Sequence, residues 1–223
     1  MHEIVQKLAS VKNKINKLIT EKQLKTNPKI IVVSKTFSLD KIVPIIRSGH
    51  LHFGENKLQE AEDKWAEVKK NNTDIKLHMI GKLQSNKTKK ALQIFDYIHS
   101  LDNAKLASKI FKYQKELNKK VKLFIQVNLG EEKQKSGILL ADLNNFYHYC
   151  TKELSLNVIG LMCLPPIGLE TYKYFEKLKF VSEKLSLKDL SMGMSSDFEQ
   201  AVINGSTYLR LGTLILGQRK SSF

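Results

Sequence analysis

Apolar positions along the chain alternate between two periods. Over residues 2 to about 24, Ile4, Val5, Leu8, Val11, Ile15, Leu18 and Ile19 recur at helical spacing with lysines between them. That pattern predicts an amphipathic helix whose apolar stripe covers another surface. Pro28 closes the connection, and Ile30-Ile31-Val32-Val33-Ser34-Lys35-Thr36-Phe37 follows. Its continuous apolar start reads as a strand buried on both faces that stops at a lysine. Ser38 is placed to cap a helix carrying Leu39, Ile42, Val43, Ile45 and Ile46, which ends near Gly49. A short strand at 50–53 leads through Gly54-Glu55-Asn56 into a helix with Leu58, Ala61, Trp65 and Val68.

The alternation continues to the end of the chain. Further strands are predicted at 76–80, 95–99, 121–127, 156–162, 189–192 and 207–211. Helices are expected from about 85, over 102–118, from the polar loop 130–137 to 150, and over 169–185 and 197–204. Eight strands with a helix in each crossover imply parallel pairing and right-handed connections. Eight such units close an α/β barrel of the (β/α)8 TIM type, with an open doubly wound sheet as the alternative. No Gly-x-Gly-x-x-Gly follows the first strand, which argues against a dinucleotide site. The expected organisation is one domain over 1–223, with residues 1–25 as an extra helix packed on the barrel.

Composition changes this picture little. The 223 residues are 42% hydrophobic and 8% aromatic, enough for a sizeable core. The net charge of +15 invites a nucleic-acid reading. Against it, the only arginines are Arg47, Arg210 and Arg219, and the lysines are scattered through every segment. Specific readers use arginine forks and interleaved aromatics, so a solvated lysine-rich surface is expected, with weak polyanion binding as the alternative. The first residues lack a signal-peptide core, and no apolar run approaches the roughly 20 residues that span a bilayer. Cys150 and Cys163 are too few for a disulfide framework and lack metal-ligand spacing. A cytoplasmic protein that contacts no membrane is expected.

In a barrel the residues just after each strand share one rim. Lys35 is the first of them. Partial loss of hydration there lowers the pKa of its amine and favours attack on an aldehyde; alternatively the side chain snorkels into solvent. Ser195 precedes a predicted helix and Gly212-Thr213 follow the last strand, a pairing that suits a phosphate. Taken singly, Ser195 could be an ordinary helix cap and Gly212 a tight turn. Arg210 sits between Leu209 and Leu211, so a period of two places it on the face opposite those leucines, and in a barrel one face looks inward. A guanidinium there needs an acceptor, either a nearby carboxylate or a ligand. The rim residues contain no nucleophile triad and no metal cluster.

Several phrases together resemble the pyridoxal-phosphate homeostasis protein family, single-domain relatives of the alanine racemase N-terminal barrel known as YggS in bacteria and PROSC in animals. They are Val33-Ser34-Lys35-Thr36, Phe53-Gly54-Glu55-Asn56, His78 to Lys87, Lys135-Ser136-Gly137-Ile138, Gly160-Leu161-Met162, Leu190 to Phe198, and Val202 to Gly217. The resemblance runs from about Ile30 to Arg219, and the phrases at 81–87 and 190–197 are the most specific. It implies that Lys35 holds pyridoxal 5′-phosphate as a Schiff base and that Arg210 faces the pyridine nitrogen. A fixed cation there disfavours protonation of the ring and makes it a weaker electron sink. It further implies that Ser195, Gly212 and Thr213 bind the phosphate and that Asn56 lines the pocket. Cys163 and Leu164 after Met162, and Lys82 after Gly81, are small departures.

The implied role is intracellular vitamin B6 homeostasis, with pyridoxal-phosphate-dependent apo-enzymes as recipients and a monomer as the expected state. Alanine racemase uses a tyrosine from a second domain as one of two bases, and the expectation is that such a domain is absent here. Little or no catalytic turnover follows. The enzyme alternative is a racemase drawing its second base, Tyr208 or a histidine, from the barrel. The alternative of another class is a basic RNA- or polyanion-binding protein.

Overall fold

The computed structural model describes residues 2–132, 134–166 and 170–218. The expected loop residues Ile167 and Gly168, the first residue of the helix expected from Leu169, and Arg219 lie outside them. Eight parallel strands close a barrel in chain order: β1 (Lys29–Val33), β2 (His52–Glu55), β3 (Lys76–Met79), β4 (Tyr97–Leu101), β5 (Lys122–Val127), β6 (Val158–Cys163), β7 (Asp189–Ser191) and β8 (Tyr208–Leu211). Closure is made where β8 returns to β1, with Lys29 opposite Tyr208 and Val32 opposite Leu211. The closed alternative is therefore the one realised, and the open sheet is not.

Helices fill the crossovers: α1 (Glu3–Glu21), α2 (Leu39–Arg47), α3 (Leu58–Asn71), α4 (Thr88–Ile94), α5 (Ala104–Glu116), α6 (Leu140–His148), α7 (Thr171–Lys184), α8 (Phe198–Ile203) and α9 (Thr213–Leu216). A wider turn over Tyr149–Glu153 continues α6 to the buried Cys150. Helix α1 buries Ile4, Leu8, Val11 and Ile15, the stripe read from the sequence, and packs beside α2, α8 and α9. Strands β2, β4 and β6 begin two residues later than expected, at His52, Tyr97 and Val158, and Glu55 and Ser100 therefore lie inside strands instead of after them. Helix α9 follows the last strand, in a segment for which no element was predicted. Ser38 stands at the N-terminus of α2 without a side-chain capping bond.

The core has two compartments. Most of it lies between sheet and helices and includes Leu209 and Leu211. A smaller cluster of Ile31, Tyr97, Phe124, Met162 and Tyr208 fills the barrel interior. Alternation along β8 thus turns Leu209 and Leu211 outward and Tyr208 and Arg210 inward, as a period of two requires. No helix among the described residues is long and apolar enough to cross a membrane.

Candidate functional site

Strand β1 ends at Val33, and the chain turns through Ser34 and Lys35 at the rim. Side chains from the next unit clamp that turn. Ser34 Oγ donates to Glu55 Oε1 at 2.8 Å. Lys64 Nζ on α3 donates to the Ser34 carbonyl at 2.8 Å and to Glu55 Oε1 at 2.9 Å. Trp65 Nε1 donates to the same carboxylate oxygen at 2.9 Å. On the other side of Lys35, the Thr36 N–H donates to Glu60 Oε1 at 2.5 Å, with Thr36 in the left-handed region at φ 69°. A β-branched residue there is held against its own preference, which requires anchors of this kind. Lys35 is half-buried, and both of its neighbours are fixed.

The other rim residues gather by register. Val33 pairs with Gly54, two residues before Asn56, and Val32 pairs with Leu211, one before Gly212. The Oδ1 of Asn56 is buried without a hydrogen-bond partner. An added Cβ on Gly81 would lie 2.4 Å from the Asn56 carbonyl oxygen, so that close approach needs a glycine. Ser195 is not a helix cap: α8 begins at Phe198 with Asp197 before it. Its Oγ instead accepts from the backbone N–H of Gly212 at 3.3 Å and of Leu214 at 3.4 Å. Asp197 closes this loop by accepting the Met194 N–H at 2.6 Å, and burial raises the pKa of its carboxyl. Thr213, the first residue of α9, is exposed at the same edge.

Arg210 is 4% exposed. Its guanidinium donates to Ser191 Oγ at 2.6 Å and to the Cys163 carbonyl at 2.9 Å. Among the described residues no carboxylate lies within ion-pair distance of it, and burial lowers its pKa from the ordinary guanidinium value. The expected carboxylate partner is therefore replaced by a hydroxyl and a carbonyl. Burial pushes the Cys163 thiol up to about 12, so it stays protonated at neutral pH.

Tyr208 is placed differently from a second base. It pairs with Lys29 at the start of β1, six residues before Lys35, or roughly 20 Å along the strand direction. Its hydroxyl accepts from Lys29 Nζ at 3.4 Å, and burial raises its pKa. His52, His78 and His99 lie inside the barrel, bonded to one another. His50 Nε2 donates to the His52 carbonyl at 2.9 Å, and His2 caps α1.

The structure thus brings Lys35, Asn56, Ser195, Gly212 and Thr213 to one rim with Arg210 just beneath. Reading the sequence for rim residues missed Ser191, the Cys163 carbonyl and the Glu55, Glu60 and Lys64 clamp, because their roles depend on contacts between units. Three observations fit a ring-bearing phosphate ester: two backbone N–H groups converging on a serine, an orphaned amide oxygen, and a buried cation that among the described residues feels the Asp197 carboxylate only at a distance.

Comparisons with known proteins agree. Residues 7–220 match the family model for the alanine racemase N-terminal domain. The chain is 36% identical over 200 residues to the pyridoxal phosphate homeostasis protein of Synechocystis sp., covering 86% of this chain and 91% of that one. It is 32% identical over 234 residues to the protein of the same name from Escherichia coli, covering 100% and 99%. The structure of PipY from Synechococcus elongatus with PLP bound superposes with a TM-score of 0.84 at 36% identity, covering 96% of this chain and 100% of that one. An alanine racemase from Clostridium difficile shares the fold at a TM-score of 0.73 and 16% identity, over 57% of its own length.

Proposed function

The chain belongs to the alanine racemase N-terminal domain family, and from that premise we propose that it binds pyridoxal 5′-phosphate at the Lys35 rim and serves the cell's store and delivery of that cofactor. Bound there, the group supplies a reactive aldehyde, an electron-accepting ring and a dianionic tail. Lys35 is the nucleophile that the aldehyde meets. Ser195, Gly212 and Thr213 hold the phosphate, the hydroxyl and backbone N–H groups replacing water at its oxygens. Asn56 Oδ1 would find its missing partner on the ligand, and Arg210 would face the pyridine nitrogen and oppose its protonation.

The single observation that carries this reading is the clamped turn: Ser34 and Thr36 are tied by separate side chains, which fixes the backbone of Lys35 at the end of β1, on the rim shared with Ser195 and Gly212. The relatives bearing the homeostasis name and the PLP-bound PipY support it. A carrier without turnover follows from the positions of the candidate second bases. Tyr208 is at the far mouth, and His78 and His99 are buried with both ring nitrogens engaged. We propose in addition a cytoplasmic monomer that hands the cofactor to apo-enzymes.

An absorbance spectrum of the purified protein with added pyridoxal phosphate tests the assignment. A band from the covalent adduct is expected in the wild type, displaced by free amines and absent from Lys35→Ala. A wild type without that band, or a Lys35→Ala variant that retains it, overturns the reading. Racemisation of L- or D-amino acids at ordinary enzymatic rates would overturn the carrier part alone.

A further inference from the structure

A line of hydrogen bonds crosses the barrel interior from one mouth to Arg210. His52 Nδ1 lies 2.9 Å from His78 Nε2, and His78 Nδ1 lies 2.9 Å from His99 Nε2. His99 Nδ1 lies 2.8 Å from Ser191 Oγ, which accepts from the Arg210 guanidinium at 2.6 Å. His78 stacks on Tyr97 with ring centres 4.2 Å apart, and His99 on Phe124 at 4.3 Å. At the far end His52 borders a cavity of about 270 Å³ that is also lined by Lys12, Lys29 and His50.

The tautomers of the three rings are not independent. Each ring-to-ring contact needs one proton, and a neutral imidazole carries one. If His99 holds its proton on Nε2, then Nδ1 of His78 must accept and His78 holds its proton on Nε2; the same follows for His52. Only two complete arrangements exist, all Nε2–H or all Nδ1–H. Two separate considerations select the first. Ser191 is fully buried, and the only acceptor given to its hydroxyl among the described residues is His99 Nδ1. A buried hydroxyl proton without an acceptor is costly, so Ser191 donates to His99. A guanidinium also favours neighbouring dipoles whose lone pairs point toward it and whose protons point away.

We infer that His52, His78 and His99 form a column of one tautomer, Nε2–H throughout, and act through Ser191 as positioning residues that hold Arg210 in place as a cation without a carboxylate in direct contact. This rests on the pyridoxal-phosphate reading only for its consequence at the ligand. The column serves where a directly bonded carboxylate would otherwise sit: it solvates the buried guanidinium with oriented neutral dipoles, so that its charge is offset only at a distance, by Asp197, and remains available to the ligand. Burial and the charges of Lys29, Lys76 and Lys122 around His52, opposed only by Asp96, keep the rings neutral.

The direct test is nitrogen NMR of the histidine-labelled protein without cofactor at pH 7, with signals assigned through His52→Gln and His78→Gln. Three Nε2–H rings support the column, and any of the three found as Nδ1–H overturns it. For the positioning role, His99→Phe keeps the stack on Phe124 but cuts the line, whereas the amide of His99→Gln can accept from Ser191 and donate to His78. The Arg210 guanidinium protons should lose their protection from exchange in His99→Phe and keep it in His99→Gln. Affinity for pyridoxal phosphate should fall about tenfold in the first and stay near wild type in the second. Should His99→Phe fail to fold, Ser191→Ala removes the same link by one hydroxyl. Unchanged Arg210 exchange in the folded variant overturns the positioning role whether or not pyridoxal phosphate is the ligand. Failure of the cofactor reading alone would leave the NMR results intact.

Discussion

Two buried cations of this barrel are treated in opposite ways. Lys64, whose side chain is 8% exposed, donates to the carboxylates of Glu55 and Glu60, each at 2.9 Å. Arg210, among the described residues, bonds to a hydroxyl and a carbonyl and feels the Asp197 carboxylate only at a distance. The first cation is neutralised where it sits, so its field ends locally, and its task is to tie the carbonyl of Ser34 to α3. The second keeps a net charge directed at the rim. Position at a site and strength of hydrogen bonding do not separate the two; a counter-charge in contact, against one at a distance, does.

The largest expected effect comes from breaking the neutralised cation. Glu55→Leu leaves Lys64 with Glu60 and the Ser34 carbonyl but removes the acceptor of Ser34 and Trp65, and should lower unfolding free energy in urea by about 3–4 kcal/mol, roughly 1–3 for each buried donor left without an acceptor. Arg210→Met should cost less, about 1–3 kcal/mol for the partners left without a donor, while weakening pyridoxal-phosphate binding. Equal destabilisation by the two breaks would erase the contrast.

Acid should sharpen it next. Burial depresses the pKa values of His50, to about 4, and of His78 and His99. These rings stay neutral in the folded state while the unfolded chain takes up protons below roughly pH 6.5. Their contribution is therefore complete above the unfolded pKa and is lost as pH falls toward the folded values. Between pH 7 and 5.5 the loss should be on the order of 1 kcal/mol for each fully buried ring, read from denaturation midpoints. His99→Gln should flatten that slope. Ser195→Ala is the mildest change: stability within about 0.5 kcal/mol and a few-fold weaker phosphate binding, measured by titration with pyridoxal phosphate. A Ser195→Ala protein that binds as well as wild type would leave the cradle to the backbone alone.

Much of this was legible along the chain, because the features concerned repeat locally. The 3.6-residue stripe of α1 and the apolar run of β1 appear as soon as they are read, and the spacing of βα units is enough to suggest closure. Lys35, Ser195 and Gly212 could be picked out because a parallel barrel sends every strand end to one rim. The limits of β2 and β4 were displaced by two residues, since His50 and Leu51 suit a strand by composition while pairing begins at His52. Glu55, read as part of a turn, is fully buried and accepts from three donors on two different elements. No periodicity marks such a residue.

Local pattern, then, was sufficient for the class of fold, the inward face of β8 and the rim on which a ligand would lie, since each follows from side-chain period and strand polarity. Which atoms satisfy Arg210 was left to closure of the barrel, because Ser191 and Cys163 lie 19 and 47 residues away along the chain. Three histidines from β2, β3 and β4 become a line only when those strands curve around a common axis. Hydrogen bonding is short-ranged and directional, so it is decided by neighbours in space, whereas the burial of a stripe is decided by neighbours in sequence.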